Sequence, residues 1–137
     1  MAAKKIICDT DVMIDYWDEK QHRHSATKTI LEKNIGLDNV VLSAITKMEL
    51  MLGATDKTEL NKINNKLSRF HIYLINDEIT LKAFDLLNHY YLSHNLLLPD
   101  GIIAATAIVT KLELFTYNTK DFKFIPHLTL FTPTIAE

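Results

Sequence analysis

Four acidic residues of this 137-residue chain lie beside apolar runs of the sequence: Asp9, Glu49, Asp100 and Asp121. Asp9 directly follows the apolar run at 6–8, as expected for a strand that delivers a carboxylate to the edge of a sheet. Carboxylates gathered at one point repel one another unless cations bind, and oxygen-rich sites select hard ions such as Mg²⁺ or Mn²⁺. The pattern therefore predicts a divalent-metal site, provided that the fold brings the four acids together.

The elements that must position these acids alternate between short β-type runs and helical periods. Strands are predicted at 6–8, 40–42, 72–75, 114–117 and 128–131. Helices are predicted at 26–34, 43–53, 56–70, 79–90 and 99–112. Strands separated by helices predict an α/β fold, an α/β/α sandwich with a central, mostly parallel sheet. Because parallel strands bring their carboxyl ends to one edge, the acids are expected to meet there.

Each acid also has an ordinary structural explanation. Asp9 can cap a following helix, and Asp100 follows Pro99 in a first helical turn, where acids are favoured. Glu49 lies within a predicted helix and could face solvent, and Asp121 follows a predicted strand, where turn aspartates are common. Their joint placement is the stronger signal, because one sheet edge would collect all four carboxylates.

Polar neighbours of these acids could support a metal site. Thr10 and Asp11 directly follow the first acid and are predicted to contact the ligands or to bind the metal through water. Thr116 and Asn118 precede the last acid and add oxygen atoms that could orient a water. The six histidines and the single cysteine show no zinc spacing, so the sequence favours a carboxylate site over a zinc site.

Composition limits the class of protein. The length and the lack of linkers or repeats predict a single domain over 1–137. The formal net charge of −2 argues against a strongly basic nucleic-acid binder, but it becomes +2 without the four candidate acids, which is compatible with an anionic substrate. Cys8, the single cysteine, excludes an internal disulfide and is predicted to be a buried, inert thiol.

The same sequence features predict the cellular compartment. No apolar run reaches the roughly 18 residues that a membrane span needs. Only Met1, Ala2 and Ala3 precede the first lysine, too little for a signal peptide. We therefore expect a cytoplasmic protein that does not associate with membranes.

Four short motifs follow one another along nearly the whole chain. They are Asp9-Thr10-Asp11-Val12, Glu49-Leu50-Met51-Leu52-Gly53, Asp100 with Ile103-Ala104-Ala105, and Thr116, Asn118, Asp121 and Phe122 in the pattern Thr-x-Asn-x-x-Asp-Phe. In order and type they resemble the motifs of PIN-domain ribonucleases, most closely the VapC-type toxins of bacterial type II toxin–antitoxin systems. Asp11 stands where that family more often has asparagine, and Gly101 where a larger residue is common.

The resemblance implies a metal-dependent endoribonuclease that hydrolyses RNA phosphodiester bonds. It implies that Asp9, Glu49 and Asp100 bind Mg²⁺ or Mn²⁺, directly or through water, and that Asp121 holds a second metal or a bridging water. All four are then the catalytic residues, although some relatives carry the fourth acid at the position of Asn118. The resemblance further implies a cognate antitoxin as inhibitor and a homodimer.

Two surface features have predicted roles. Lys62, Lys66 and Arg69 recur at helical spacing and are predicted to be a solvated helix face rather than an RNA-binding surface. Tyr90, Tyr91 and residues 96–98 could form part of an apolar contact surface.

Three alternatives belong to other classes. A haloacid-dehalogenase-type phosphatase also begins with Asp-x-Asp and would use Asp9 as nucleophile, but Met13 replaces the expected Thr or Val and no later lysine and paired-aspartate motifs follow. A receiver-type signalling domain needs an aspartate after a middle strand, where this chain has Ser43. A catalytically inactive PIN-like binding module would share the fold, and the four retained acids argue against it.

Overall fold

The computed structural model describes residues 4–133, and a parallel sheet lies at its centre. The strands are β1 (Ile6–Cys8), β2 (Val40–Ser43), β3 (His71–Tyr73) and β4 (Glu113–Phe115), in the order β3-β2-β1-β4. Every neighbouring pair of these strands is parallel. Ile7 of β1 lies opposite Val41 on one side and Leu114 on the other.

The helices are α1 (Thr10–Trp17), α2 (His24–Thr29), α3 (Ala44–Met51), α4 (Lys57–Leu67), α5 (Asp77–His94) and α6 (Leu98–Thr110). Helix α2 continues into a π-helical segment, Ile30–Ile35, and short 3₁₀ turns occupy Leu37–Asn39 and Thr119–Asp121. Side-chain oxygens cap the first turns of α1, α3, α4 and α5. Across residues 4–133, no helix combines the length and apolar character that a membrane crossing requires.

The sheet separates two hydrophobic cores, because successive side chains of a strand point to opposite faces. Ile6 and Cys8 belong to one core, which side chains of α1, the π-helical segment, α3 and α4 complete. Ile7 belongs to the other core, with side chains of α5 and α6. Helices therefore cover both faces of the sheet, which confirms the predicted α/β/α sandwich. Burial raises the pKa of the Cys8 thiol far above its ordinary value, as expected for an inert thiol.

Several element boundaries differ from the predicted ones. Helix α1 is absent from the predicted elements, and it begins directly after β1 because Asp9 caps it. Strand β3 ends at Tyr73 rather than 75. Strand β4 ends at Phe115 rather than 117, because Thr116 and Tyr117 instead donate hydrogen bonds to Asp9 and Asp11. The predicted strand at 128–131 is a single parallel bridge between Leu114 and Leu130.

The topology brings several chain segments to one edge of the sheet. Strand β1 leads into Asp9, β2 ends at Ser43, the cap of α3, and β4 leads into Thr116. Helix α6 returns before the parallel strand β4, so its first turn, with Asp100, begins at the edge where the strands end.

Close packing of α5 and α6 fixes the start of α6. A Cβ atom at Gly101 would lie 3.2 Å from Cδ2 of Leu87, tighter than most real contacts, so glycine lets the two helices approach. Asn95 ends α5 in the left-handed region, with φ of 56°. The chain thereby reverses within a few residues and places Asp100 close to the end of α5.

Candidate active site

Asp9 lies at the centre of the acidic site and is only 5% exposed. Its Oδ1 accepts a hydrogen bond from the Thr10 N–H at 2.7 Å, and its Oδ2 accepts one from the Thr116 hydroxyl at 2.8 Å. Burial raises the pKa of Asp9 and the charge of Glu49 adds to the rise, while the two hydrogen bonds counteract it. Asp9 is both a helix cap and a site carboxylate, because capping uses only one of its oxygens.

Thr10 joins Glu49 to Asp9. The Thr10 hydroxyl donates to Oε1 of Glu49 at 2.6 Å, while the Thr10 backbone N–H donates to Asp9. Glu49 lies on α3 and is half-buried, so it does not simply face solvent. One residue at the start of α1 thus fixes two of the predicted metal ligands relative to each other.

Asp100 and Asp121 complete the acidic cluster. Asp100 lies in the first turn of α6, and its pKa is raised to about 7 by burial first, and then by the charges of Asp9, Asp121 and Glu49. Asp121 ends the exposed turn Thr119–Asp121. The predicted acids are therefore close enough to act on one another electrostatically.

Asp11 carries a buried oxygen without a partner. Its Oδ2 accepts a hydrogen bond from the Tyr117 N–H at 3.1 Å, whereas its Oδ1 is buried and has no hydrogen-bond partner among the described residues. Burial, and next the charge of Asp9, raises the pKa of Asp11 to about 7. A buried acceptor of this kind is costly unless a proton or a cation satisfies it.

Thr116 and Asn118 position the strand end that contacts Asp9. The Thr116 hydroxyl donates to Asp9 and accepts a hydrogen bond from the Asn118 N–H at 3.0 Å. The side chain of Asn118 is exposed and lines a cleft together with Asp100 and Asp121. The structure therefore places every predicted supporting residue within or next to the acidic site.

An ion-paired cluster near Asp11, built on Arg23 and Asp15, is not among the predicted site residues. Arg23 Nε donates to the buried Asp15 at 2.6 Å, and the Arg23 guanidinium lies 4.1 Å from the centre of the Tyr117 ring. The Tyr117 hydroxyl is 2.5 Å from the Thr27 hydroxyl. Asp15 follows Asp11 by one helical turn, which is the signal in the sequence that could have indicated this cluster.

The donor set fits a hydrated divalent ion. Within residues 4–133, no three His, Cys, Asp or Glu side chains are placed to ligate one metal ion together. Mg²⁺ commonly keeps several waters and binds through one or two carboxylates plus substrate phosphates, so such a cage is not required. The orphaned oxygen of Asp11 and the mutually repelling carboxylates of Asp9, Glu49 and Asp100 are the features that a cation would satisfy.

Comparison with known families identifies the fold. The family model of the PIN domain matches residues 6–128, nearly the whole chain. The chain belongs to the PIN domain family. This membership confirms the resemblance of the four motifs, and it argues against the haloacid-dehalogenase and receiver alternatives.

Solved structures similar to this PIN domain include a toxin–antitoxin complex. A toxin–antitoxin complex from Klebsiella pneumoniae is 32% identical, with a TM-score of 0.71 over 91% of this chain and 96% of that chain. FitAcB from Neisseria gonorrhoeae is 26% identical, with a TM-score of 0.71 over 93% and 97%. VapBC2 from Rickettsia felis, bound to a DNA fragment from its promoter, is 25% identical, with a TM-score of 0.70 over 91% and 96%. No curated protein sequence matches the chain.

The raised carboxyl pKa values predict an unusual pH dependence of the metal-free protein. Asp11 and Asp100 ordinarily titrate near 3.8 and titrate near 7 in the fold, so between these values the folded state binds more protons than the unfolded state. Stability should therefore fall as the pH rises from about 4 to about 7. Thermal melting in a chelator measures this fall, and millimolar Mg²⁺ should reduce it.

Variants test the origin of that fall. Asp100→Asn should make the stability of the metal-free protein depend less steeply on pH. Asp38→Asn is the control and should leave this dependence unchanged, because the Asp38 side chain is 94% exposed. A melting temperature of the metal-free protein that rises steadily through this pH range would contradict the assignment.

Asp11→Asn should stabilise the metal-free protein at pH 8. An amide can accept from the Tyr117 N–H and is uncharged, so the substitution removes a buried charge that Asp9 repels. Calorimetric titration with Mn²⁺ should show metal affinity reduced by about 10–100-fold if Asp11 supports the metal. Asp38→Asn is again the control, and lower metal-free stability of Asp11→Asn would contradict this account.

Proposed function

We propose that this protein is a VapC-like toxin, an endoribonuclease that hydrolyses RNA phosphodiester bonds with Mg²⁺ or Mn²⁺. Membership in the PIN family supports a hydrolase that acts on nucleic acids. The observation that carries the finer proposal is the convergence of carboxylates at the sheet edge: Thr10 joins Asp9 to Glu49 through hydrogen bonds, and Asp100 and Asp121 line one cleft. Such a site would act on the cytoplasmic RNA pool.

The chain's own residues orient the reacting groups. A bound Mg²⁺ or Mn²⁺ would polarise the attacked phosphate and activate a water. Asp9 and Glu49 present carboxylate oxygens whose positions Thr10 fixes through two hydrogen bonds. Asp100 approaches from the first turn of α6, and Asp121 from the turn after β4. No side chain has to form a covalent intermediate, because the nucleophile is water.

We further propose an antitoxin protein as partner, since the similar structure from Klebsiella pneumoniae is a toxin–antitoxin complex. Exposed apolar side chains on the helices that carry Thr10 and Glu49 support this proposal. Ile14 on α1 is 44% exposed, Met48 on α3 is 50% exposed, and Leu52 at the end of α3 is 85% exposed. An apolar segment that covers them would lie next to the acids and restrict access to the site.

A homodimer is the second proposed assembly, and it is supported by a stripe on α5. Leu81, Phe84 and Tyr91 recur at helical spacing and are 65%, 59% and 55% exposed. Leu97 and Leu98, which follow α5, are 53% and 60% exposed.

The prediction that Tyr90, Tyr91 and residues 96–98 form an apolar contact surface is wrong for Tyr90 and Leu96. Tyr90 is half-buried against Phe124 and Leu96 is 2% exposed, so both contribute to the core rather than to an open surface. Their burial follows from the reversal of the chain between α5 and α6.

Asp100→Asn separates catalysis from folding. The variant should cut total RNA at least 10–100-fold more slowly in the presence of Mg²⁺ and should melt at or above the wild-type temperature without metal. Mapping of new RNA ends measures cleavage. Asp77→Asn is a matched control, because Asp77 also lies in a first helical turn, that of α5.

Two outcomes would change the conclusion. Full activity of Asp100→Asn would remove Asp100 from the catalytic site. If the wild-type protein binds RNA and metal but produces no new ends, it is the inactive PIN-like module instead.

Phe84→Glu should convert the proposed dimer into a monomer, because it places a charge within the apolar stripe of α5. Light scattering after size-exclusion chromatography measures the mass. Leu52→Glu alters an exposed apolar residue of α3 and should leave the dimer intact. A wild-type protein that is monomeric at every concentration would contradict the proposal.

A further inference from the structure

A polar cleft of about 420 Å³ lies beside the acidic site, between the end of α5, the start of α6 and the turn after β4. Its lining includes two acids, Asp100 and Asp121, and also His94 and Lys120. Its volume falls in the usual range of small-ligand sites, roughly 300–1,000 Å³. A second cavity, of about 430 Å³, has a different lining that includes Lys4, Lys5 and Lys111 and none of the site acids.

His94 provides an ordered aromatic surface in this cleft. Its ring stacks on Phe124, with ring centres 4.2 Å apart and planes inclined by 17°. Tyr90 packs edge-on against the His94 ring, with ring centres 5.6 Å apart, and the Ser93 hydroxyl lies 2.7 Å from Nδ1 of His94. These contacts hold the ring in place. His94 is nevertheless an exposed residue, so its ring remains accessible. Aromatic rings of this kind are platforms on which unpaired RNA bases stack.

Lys120 adds a positive charge to the lining of the cleft. It lies in the turn Thr119–Asp121, is exposed, and forms no ion pair with the acids among residues 4–133. This unpaired ammonium group can bind one phosphate of a nucleic-acid strand while the next phosphate lies at the acidic site.

We propose that this cleft binds the nucleotide adjacent to the scissile phosphate of a single-stranded RNA, with its base on His94 and its phosphate at Lys120. The inference rests on the proposed ribonuclease function and names a substrate subsite of the same site. RNA suits the cleft better than an acidic peptide, because it supplies both a flat base for the His94 ring and a phosphate for Lys120.

Steady-state cleavage of a 12-nucleotide RNA that spans a cut site mapped in total RNA tests the proposal. His94→Ala should raise KM about 5–100-fold, the range expected for loss of one base stack. Lys120→Ala should raise KM several-fold and should lower the slope of log KM against log salt by about 0.7, the value for one contact to a single strand. In both variants kcat and the calorimetric affinity for Mn²⁺ should stay close to wild type, since neither residue is a proposed ligand.

Matched variants and substrates sharpen the test. His94→Phe should restore KM, because it keeps an aromatic surface against Phe124, and it also controls for lost packing in His94→Ala. His89→Ala, on the same helix, and Lys123→Ala, just after the turn, change exposed residues that do not line the cleft and should leave KM unchanged. An RNA with an abasic residue next to the cut should be insensitive to His94→Ala.

The outcomes distinguish this inference from the proposed function. If the wild-type protein cleaves RNA and the His94 and Lys120 variants have unchanged KM and salt dependence, the subsite is wrong and the ribonuclease remains. If these variants weaken only inhibition by an antitoxin peptide, the cleft belongs to the protein partner and the inference is overturned. If the wild-type protein does not cleave RNA at all, the proposed function itself fails.

Discussion

Repulsion among carboxylates in a partly buried pocket is the constraint on which the rest of this structure depends. The hydrogen bonds that reach Asp9 and Glu49 come from uncharged donors: a backbone N–H and two threonine hydroxyls. Neutral donors orient a carboxylate without neutralising it, whereas a paired guanidinium would cancel its charge. The nearby Arg23 is instead paired with Asp15, one helical turn away from Asp11. These hydrogen bonds thus fix the geometry of Asp9 and Glu49 without adding a positive charge to the site.

That arrangement explains why so many elements end at one edge of the sheet. A parallel sheet brings β1, β2 and β4 to the same edge, and α6 begins there because it must return before β4. The helix starts leave backbone N–H groups free, and these partly offset the charge of acids placed in the first turns. The backbone N–H groups of the helix starts therefore stabilise part of the negative charge. The repulsion that remains between the carboxylates favours a bound cation.

The parts of the fold that the sequence could predict are those fixed by local pattern. Short-range signals mark the apolar run at 6–8, the acid that follows it and the helix that begins at Pro99. They suffice to predict the alternation of strands and helices and the positions of Asp9 and Asp100 at the ends of these elements. Contacts between distant residues have no such signal. Thr116 contacts Asp9 across 107 positions, and Tyr117 contacts Asp11 across 106. Such pairs depend on the register of β1 with β4, which a single sequence does not specify.

The surroundings of the acids differ on their two sides, and this difference bears on how the site would be regulated. Helices α1 and α3 expose apolar side chains, whereas the cleft that His94 and Lys120 line is polar. Apolar surface favours a folded or folding protein segment, and a cation with an accessible ring favours a nucleotide. An inhibitor bound to the apolar side need not imitate RNA. It needs only to reach the acids that both sides share, so an inhibitor and a substrate would compete for these acids while each contacts different residues.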